Sequence, residues 1–317
     1  MKKRYKIAAA LILLLALAVF CLTACDSECT VTLEPCNGDE STTITVSAFS
    51  RLPKIDEPTK TGYAFCGWFV DKQCTVEFES ASLVTSNMTL YAGWEVDTER
   101  VVNTVSGELM SANLKIRSCF YEYSFGGYNL TSSSMGSGVI FTRTGKNYYA
   151  LTNCHVTKAP DGTDKTAYFV YDMYGNEYEA SLVCSEAEYD LAVLSFYSPK
   201  TLQVADFAER IPDENELVVA LGQPAGQYNS LTLGHVIDYE KIEVTDSESD
   251  ESDVKFEVIW STAPTAKGSS GGGLFDVNKR LLGINYATGK SASGDVYTFT
   301  IPIAKVNEFL EKYGIEI

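Results

Sequence analysis

Histidine is almost missing from this sequence: only two of its 317 residues are histidine. Nine residues are cysteine, yet no two of them form a Cys-x-x-Cys pair. Structural zinc sites are built from closely spaced cysteine and histidine ligands. We therefore expect no metal site, and no part of the sequence points to a cofactor.

Positive charge is also in short supply. The chain has 25 Lys and Arg residues against 42 Asp and Glu residues, which gives a net charge of −17. Proteins that hold nucleic acid or anionic lipid by electrostatics carry a basic surface. The composition therefore argues against nucleic acid as a partner and against electrostatic docking on a membrane.

Long hydrophobic runs are absent except for one near the N-terminus. The basic start "MKKRYK" is followed by the apolar run "IAAALILLLALAVFCLTA" and then by Cys25. This order is typical of a secretory signal, although an uncleaved single-span anchor has a similar pattern. The ending Leu-Thr-Ala-Cys resembles the lipobox of bacterial lipoproteins, which implies cleavage after residue 24, a lipid on Cys25 and attachment to the membrane outside the cytoplasm.

Cys21 lies in the signal and Cys25 is the expected lipidation site, which leaves seven of the nine cysteines. Because seven is an odd number, they cannot all form disulfides within one chain. Cys66 and Cys74 are close enough in sequence to form a local disulfide, or they remain thiols.

Residues 25–95 read as a small β-rich module. Short alternating runs are separated by Pro58, Gly62 and Gly67, and two of the three tryptophans, Trp68 and Trp94, lie here. We expect these aromatic side chains to form the core that a domain of this size needs. The patterns "GYAFCGWF" and "VTSNMTLYAGW" resemble the Listeria–Bacteroides repeat of bacterial surface proteins. That resemblance implies a β-grasp-like unit that spaces domains or contacts other surface proteins.

Residues 96–317 contain twelve short apolar segments that are separated by turn residues, without the long helical periods of an alternating α/β fold. Twelve short strands suit two six-stranded antiparallel barrels. The tail "IPIAKVNEFLEKYG" predicts a helix that packs back on a barrel, with Val306, Phe309, Leu310 and Tyr313 on one face.

Three residues at the ends of predicted strands are a histidine, an aspartate and a serine, the residue types that nucleophilic catalysis requires. His155 follows "YALTN", Asp190 precedes "LAVLSF", and Ser270 lies in "GSSGGG". A serine attacks, an imidazole takes its proton, and a buried carboxylate orients the imidazole. The first two residues fall in the first predicted barrel and the third in the second barrel. A cleft between the barrels is therefore expected to collect all three.

The segments "SGVIF", "ALTNCHV", "DLAVL", "GSSGGGLF" and "LLGIN" resemble the trypsin-like serine peptidases, nearest the Deg/HtrA group. The resemblance implies a mainly β fold with the double six-stranded barrel, and catalytic roles for His155, Asp190 and Ser270. It also implies an oxyanion hole from the Gly268 and Ser270 amides. Substrates are then proteins or peptides, and the residues expected to bind them are Pro264, Asn285 and Tyr286. Pro264 stands six residues before the nucleophile, where such peptidases read the side chain before the cleaved bond. No acid lies there, which predicts aliphatic specificity.

The serine loop also departs from the Deg/HtrA pattern. Ser269 replaces the usual Asn before the nucleophile, Gly273 replaces a Pro, and Ala266-Lys267 replaces Asn-Pro. These changes keep a second interpretation open, a non-catalytic surface adhesin on a protease fold. The acidic run at 246–253 is expected to be a solvated hairpin tip rather than a cation site, because it lacks the spacing of a coordinating loop. Since the chain ends soon after its last predicted helix, we expect no peptide-binding PDZ domain to follow.

Overall fold

The computed structural model describes residues 27–223, 230–241, 254–290 and 294–317. The chain divides into two compact units, residues 1–98 and 99–317. The predicted lipidation site at Cys25 and the acidic run at 246–253 lie outside the described residues.

The first unit is a small mixed sheet. Its strands are β1 (Glu28–Glu34), β2 (Thr42–Ser47), β3 (Ser50–Arg51), β4 (Tyr63–Phe69), β5 (Leu83–Val84) and β6 (Met88–Val96). Four of them form a sheet in the order β2-β1-β6-β4, whose central strands β1 and β6 are parallel, and β3 pairs with β5. Alternate residues of β1 face inward, so that Cys29, Val31 and Leu33 are buried against Val84 and Leu90. The expectation of an aromatic core is thus only partly confirmed: the buried residues of this cluster are not aromatic, Trp68 packs against them half-buried, and Trp94 lies outside the cluster, where its indole N–H donates to the Pro35 carbonyl.

The first barrel of the second unit closes on itself. Its six strands are β7 (Asn113–Ser124), β8 (Gly127–Thr144), β9 (Asn147–Thr152), β10 (Lys165–Tyr171), β11 (Glu177–Glu186) and β12 (Leu191–Tyr197). They are ordered β10-β11-β12-β9-β8-β7 around the barrel. Apolar residues from β7, β8, β9 and β12 fill its interior, among them Ile116, Ile140, Ala150 and Leu194.

The second barrel has six strands and one short addition. The strands are β13 (Asp206–Phe207), β14 (Leu217–Gly222), β15 (Ser230–Glu240), β16 (Val258–Ser261), β17 (Gly273–Asp276), β18 (Arg280–Lys290) and β19 (Val296–Pro302). Pairing of β18 with β19 closes the ring, and β13 joins β18 in parallel from outside. The predicted pair of six-stranded barrels is therefore confirmed.

Three helices accompany the barrels in the described part of the chain: α1 (Thr98–Ala112), α2 (Cys154–Thr157) and α3 (Ile303–Lys312). In α1, Val101, Val105 and Leu109 recur every four residues and are buried on one face. The tail helix α3 packs on β18 and β19 through Val306, Phe309 and Leu310, as the sequence predicts. Tyr313 lies just beyond its end and is partly exposed. No described helix is both long and apolar enough to cross a bilayer.

Candidate active site

His155 lies where β9 leaves the first barrel. The strand ends at Thr152, Asn153 follows with an extended backbone, and the single turn of α2 then carries His155. The flanking residues Cys154 and Val156 are buried, whereas 29% of the His155 side chain is exposed. The turn thus buries its neighbours and leaves the imidazole at the surface of the barrel.

Asp190 occupies the turn that leads into β12. Its backbone is left-handed, with a φ of 49°, and its side chain is 1% exposed. A left-handed backbone is uncommon for a non-glycine residue, and aspartate is among the few types that tolerate it. The Asn153 side-chain amide donates to the Asp190 carbonyl at 2.8 Å, which holds the turn against the histidine segment.

The Asp190 carboxylate contacts His155 through both of its oxygens. Oδ2 lies 2.8 Å from His155 Nδ1, and Oδ1 accepts the backbone N–H of His155 at 3.0 Å. Since a buried carboxylate accepts hydrogen bonds and stabilises positive charge nearby, this contact favours a proton on Nδ1. The other ring nitrogen, Nε2, is then left free to accept a proton.

Ser270 lies in a tight loop before β17. Gly268 and Gly271 on either side have φ values of 102° and 87°, in the region that favours glycine. A Cβ on Gly271 would lie 2.1 Å from the Ser137 carbonyl oxygen, so only glycine fits there. The Ser270 hydroxyl donates to the Tyr286 carbonyl at 3.4 Å, and no hydrogen bond joins it to His155 within the described residues.

Strand β8 brings the histidine segment and the serine loop together. A Cβ on Gly136 would lie 2.6 Å from a methyl group of Val156 and 3.0 Å from the Ser270 carbonyl oxygen. The next residue, Ser137, donates its backbone N–H to that same Ser270 carbonyl at 2.7 Å. The residue after His155 and the Ser270 backbone thus both lie against β8, where the two barrels meet.

The expected substrate-binding residues line two different cavities. Asn285 and Tyr286 line a small cavity of about 40 Å³ together with Ser270. Pro264 lines a larger one of about 250 Å³, and Thr265, Ala266 and Ser269 border both. No residue with a carboxylate lines either cavity among the described residues.

The side chain of Asn285 is held within the wall of the second barrel. Its amide nitrogen donates to the carbonyls of Leu221 and Gly273, and its oxygen accepts from the Thr300 hydroxyl at 2.8 Å. Its backbone carbonyl accepts from Gly271 N–H at 2.8 Å, which ties the serine loop to β18.

The cysteines described by the structure, from Cys29 to Cys184, are all free thiols, including Cys66 and Cys74. No three described His, Cys, Asp or Glu side chains are grouped in a way that could hold a metal ion.

The positions of Asn153, Thr152 and Ser137 around the site are not indicated by the sequence analysis. Asn153 stands two residues before His155, so its place in "ALTNCHV" is the one signal that could have identified it. Ser137 contacts Gly268, 131 residues further along the chain, and no local pattern reports such a contact.

Each of the two units matches one family model. Residues 136–284 match the model of the trypsin-like peptidase domain, and residues 30–93 match that of the Listeria-Bacteroides repeat domain. The chain is 30% identical over 183 residues to "Serine protease Do-like HtrA" of Bacillus subtilis, covering 57% of this chain and 40% of the relative. It is 31% identical over 200 residues to a "Probable periplasmic serine protease do/HhoA-like" of Haemophilus influenzae, covering 61% and 40%. The chain thus spans about two fifths of the length of these relatives.

Among solved structures, the Rv3671c protease from M. tuberculosis in its active form has the same fold. It is 23% identical in sequence. The superposition has a TM-score of 0.54 and covers 70% of this chain and 88% of that one.

Proposed function

We propose that this chain, which carries a trypsin-like peptidase domain with Deg/HtrA relatives and a Listeria-Bacteroides repeat domain, is a serine endopeptidase that acts outside the cytoplasm. The catalytic residues are His155, Asp190 and Ser270. The observation that carries the proposal is the buried Asp190 carboxylate 2.8 Å from His155 Nδ1, together with a glycine-flanked serine whose backbone meets the histidine segment at Gly136.

In the proposed reaction, Ser270 Oγ attacks the carbonyl carbon of the peptide bond, and His155 Nε2 takes the hydroxyl proton. Asp190 keeps Nδ1 protonated and stabilises the imidazolium. The tetrahedral intermediate collapses to an ester on Ser270, while the amine product leaves with the proton from His155. Water then attacks the ester, His155 takes and returns a second proton, and the acid product leaves a free serine.

The negative oxygen of the intermediate is assigned to the Gly268 and Ser270 backbone N–H groups. Donors aimed at that oxygen are worth roughly 10² to 10³ in rate. Gly268 supports this role because its φ of 102° is one that glycine alone adopts freely. Before the attack, the Ser270 hydroxyl turns from the Tyr286 carbonyl, a contact of 3.4 Å that is weak enough to break.

We propose aliphatic side chains before the cleaved bond. Pro264, Thr265 and Ala266 border the candidate cavities and none is charged. A lysine or arginine buried there would lose its hydration without a carboxylate partner. An Ala, Val or Leu side chain gains instead about 0.8 kcal/mol for each buried CH₂ group.

Sequencing the cleavage products of a denatured protein mixture tests this specificity. Cuts should follow Ala, Val or Leu, and a majority of cuts after Lys or Arg would contradict the role of Pro264.

We also propose the domain boundaries 1–24 for the lipoprotein signal, 25–95 for the repeat module and 96–317 for the peptidase domain. Cys25 then carries the lipid anchor, since two acyl chains on one cysteine are sufficient for stable membrane attachment. The repeat module contacts other surface proteins. Mass spectrometry of the mature N-terminus checks the anchor: Cys25 should be first and lipidated, and an unmodified terminus elsewhere would contradict it.

Hydrolysis of casein by the purified wild type and by Ser270→Ala tests the central function. The wild type should release peptides, and the variant should be slower by about 10³-fold or more while it keeps its fold. Equal hydrolysis by both proteins would contradict Ser270 as the nucleophile, and a folded but inactive wild type would favour the non-catalytic adhesin.

A further inference from the structure

Ser137 lies on β8 of the first barrel and is fully buried, with 0% of its surface exposed. It is neither a nucleophile nor a base in the proposed reaction. Its contacts nevertheless run to the loop that carries the nucleophile, in the other barrel.

All the polar groups of Ser137 are hydrogen-bonded. Its N–H donates to the Ser270 carbonyl at 2.7 Å, and its hydroxyl donates to the Gly268 carbonyl at 2.8 Å. The hydroxyl oxygen accepts the Gln223 N–H at 2.9 Å, and the Ser137 carbonyl accepts from the Thr152 hydroxyl at 2.7 Å. One residue therefore joins the serine loop, the end of β14 and the end of β9.

The hydroxyl acts on one particular peptide, the one between Gly268 and Ser269. Ser137 holds its carbonyl, and the Ala266 carbonyl accepts its N–H at 2.9 Å. With both ends bonded, the plane of that peptide is fixed. The direction of the Gly268 N–H relative to that plane then depends only on the two backbone angles of Gly268 itself, of which φ is 102°.

The side chain of Ser269 cannot replace this support. Its hydroxyl has one weak contact in the loop, with the Ala266 N–H at 3.5 Å. The side-chain hydrogen bond to the Gly268 carbonyl therefore comes from a residue outside the loop, Ser137.

We propose that Ser137 is a positioning residue for the oxyanion site: its hydroxyl fixes the Gly268–Ser269 peptide, so that the Gly268 N–H points at the developing negative charge. This inference rests on the proposed serine endopeptidase function. It concerns the transition state and not substrate binding, because Ser137 lines neither candidate cavity.

Steady-state hydrolysis of a fluorogenic peptide by Ser137→Ala separates these effects. We expect kcat to fall about 10- to 100-fold with KM within about threefold, since a misdirected oxyanion donor lowers transition-state binding alone. Affinity for a peptide boronic acid, which forms a tetrahedral adduct with the nucleophile, should fall in parallel. Affinity for an uncleaved product peptide should not change.

Ser198→Ala is the matched control. Ser198 is equally buried in the first barrel, and its hydroxyl donates to the Lys200 carbonyl at 3.2 Å, so this variant also loses a buried hydroxyl. It should keep the wild-type kcat. Ser137→Cys retains a weak donor and should give an intermediate kcat, which keeps the test decisive if the alanine variant fails to fold.

The two proposals can be separated by the wild type and Ser270→Ala, measured in the same assay. A Ser137→Ala kcat within twofold of an active wild type would overturn the positioning role and leave the peptidase function intact. An equal loss of kcat in Ser198→Ala would also overturn it. An inactive wild type would overturn both proposals.

Discussion

Replacing Asp190 with Asn should abolish activity without disturbing the backbone, and the hydrogen bonds around Asp190 give the reason. The backbone N–H of His155 requires an acceptor at the Oδ1 position, and an asparagine amide has only one oxygen to offer. The amide NH₂ is therefore set opposite His155 Nδ1. Because Nδ1 then has to accept, the ring proton moves to Nε2, which can no longer take a proton from Ser270.

The expected magnitude follows from that tautomer. Loss of the correct tautomer costs about 10⁴-fold in kcat in triads of this kind, or about 5 kcal/mol of transition-state stabilisation. We expect a loss of this size for Asp190→Asn in peptide hydrolysis near neutral pH. Circular dichroism should show an unchanged fold.

Asp172→Asn is the control for removing a buried carboxylate. Asp172 is 2% exposed, lies in the same barrel and accepts hydrogen bonds from Asn176 and Tyr178. This variant should lose stability and keep its kcat. The reasoning would be refuted if folded Asp190→Asn kept more than about a tenth of the wild-type rate, or if both variants lost activity equally.

Three further predictions concern the loop, an acid-sensitive turn and a buried thiol. Gly271→Ala should lower both activity and stability, the latter by a few kcal/mol, because a Cβ would meet the Ser137 carbonyl at 2.1 Å; assays of kcat and thermal unfolding check this. Burial alone would raise the pKa of Asp172, but hydrogen bonds from Asn176, Tyr178 and the Tyr174 N–H outweigh it and leave the pKa below its ordinary value. The stability that this carboxylate contributes is therefore present above pH 3.8 and lost as the pH falls through the folded pKa. The free energy of unfolding, measured from about pH 5 to 2, should therefore decrease less steeply in Asp172→Asn than in the wild type. Burial raises the pKa of the Cys184 thiol to about 11, so iodoacetamide at pH 8 should alkylate the exposed Cys66 long before Cys184, as peptide mass spectrometry would show.

The barrels could be predicted because their signal is local. Strands such as "LAVLSF" and "ELVVALG" are short apolar runs bounded by turn residues, and each produces a strand where it stands. The same reasoning underestimated α1: the pattern at 97–116 indicates a connector with room for a short helix, whereas α1 is 15 residues long. The spacing of Val101, Val105 and Leu109 already indicates the buried helical face that the structure has.

Only those residues of the site whose side-chain chemistry suggests a catalytic role could be predicted from the sequence. His155 and Asp190 are 35 residues apart, and their pairing follows from the requirement of an imidazole for a carboxylate partner. Ser137 has no such signal, since a serine hydroxyl that bonds a distant carbonyl leaves no periodic pattern. The side chain of Asn285 shows a similar limit, because its bonds to three strands depend on the closed barrel.

Labelling with a fluorophosphonate probe tests the central claim most directly, since this reagent reacts with a serine that an adjacent base activates. Intact-mass and peptide mass spectrometry of the labelled wild type should find one adduct, on Ser270, and none in Ser270→Ala or Asp190→Asn. Absence of an adduct from folded wild-type protein, or equal labelling of Ser270→Ala, would contradict the assignment of Ser270 as the nucleophile.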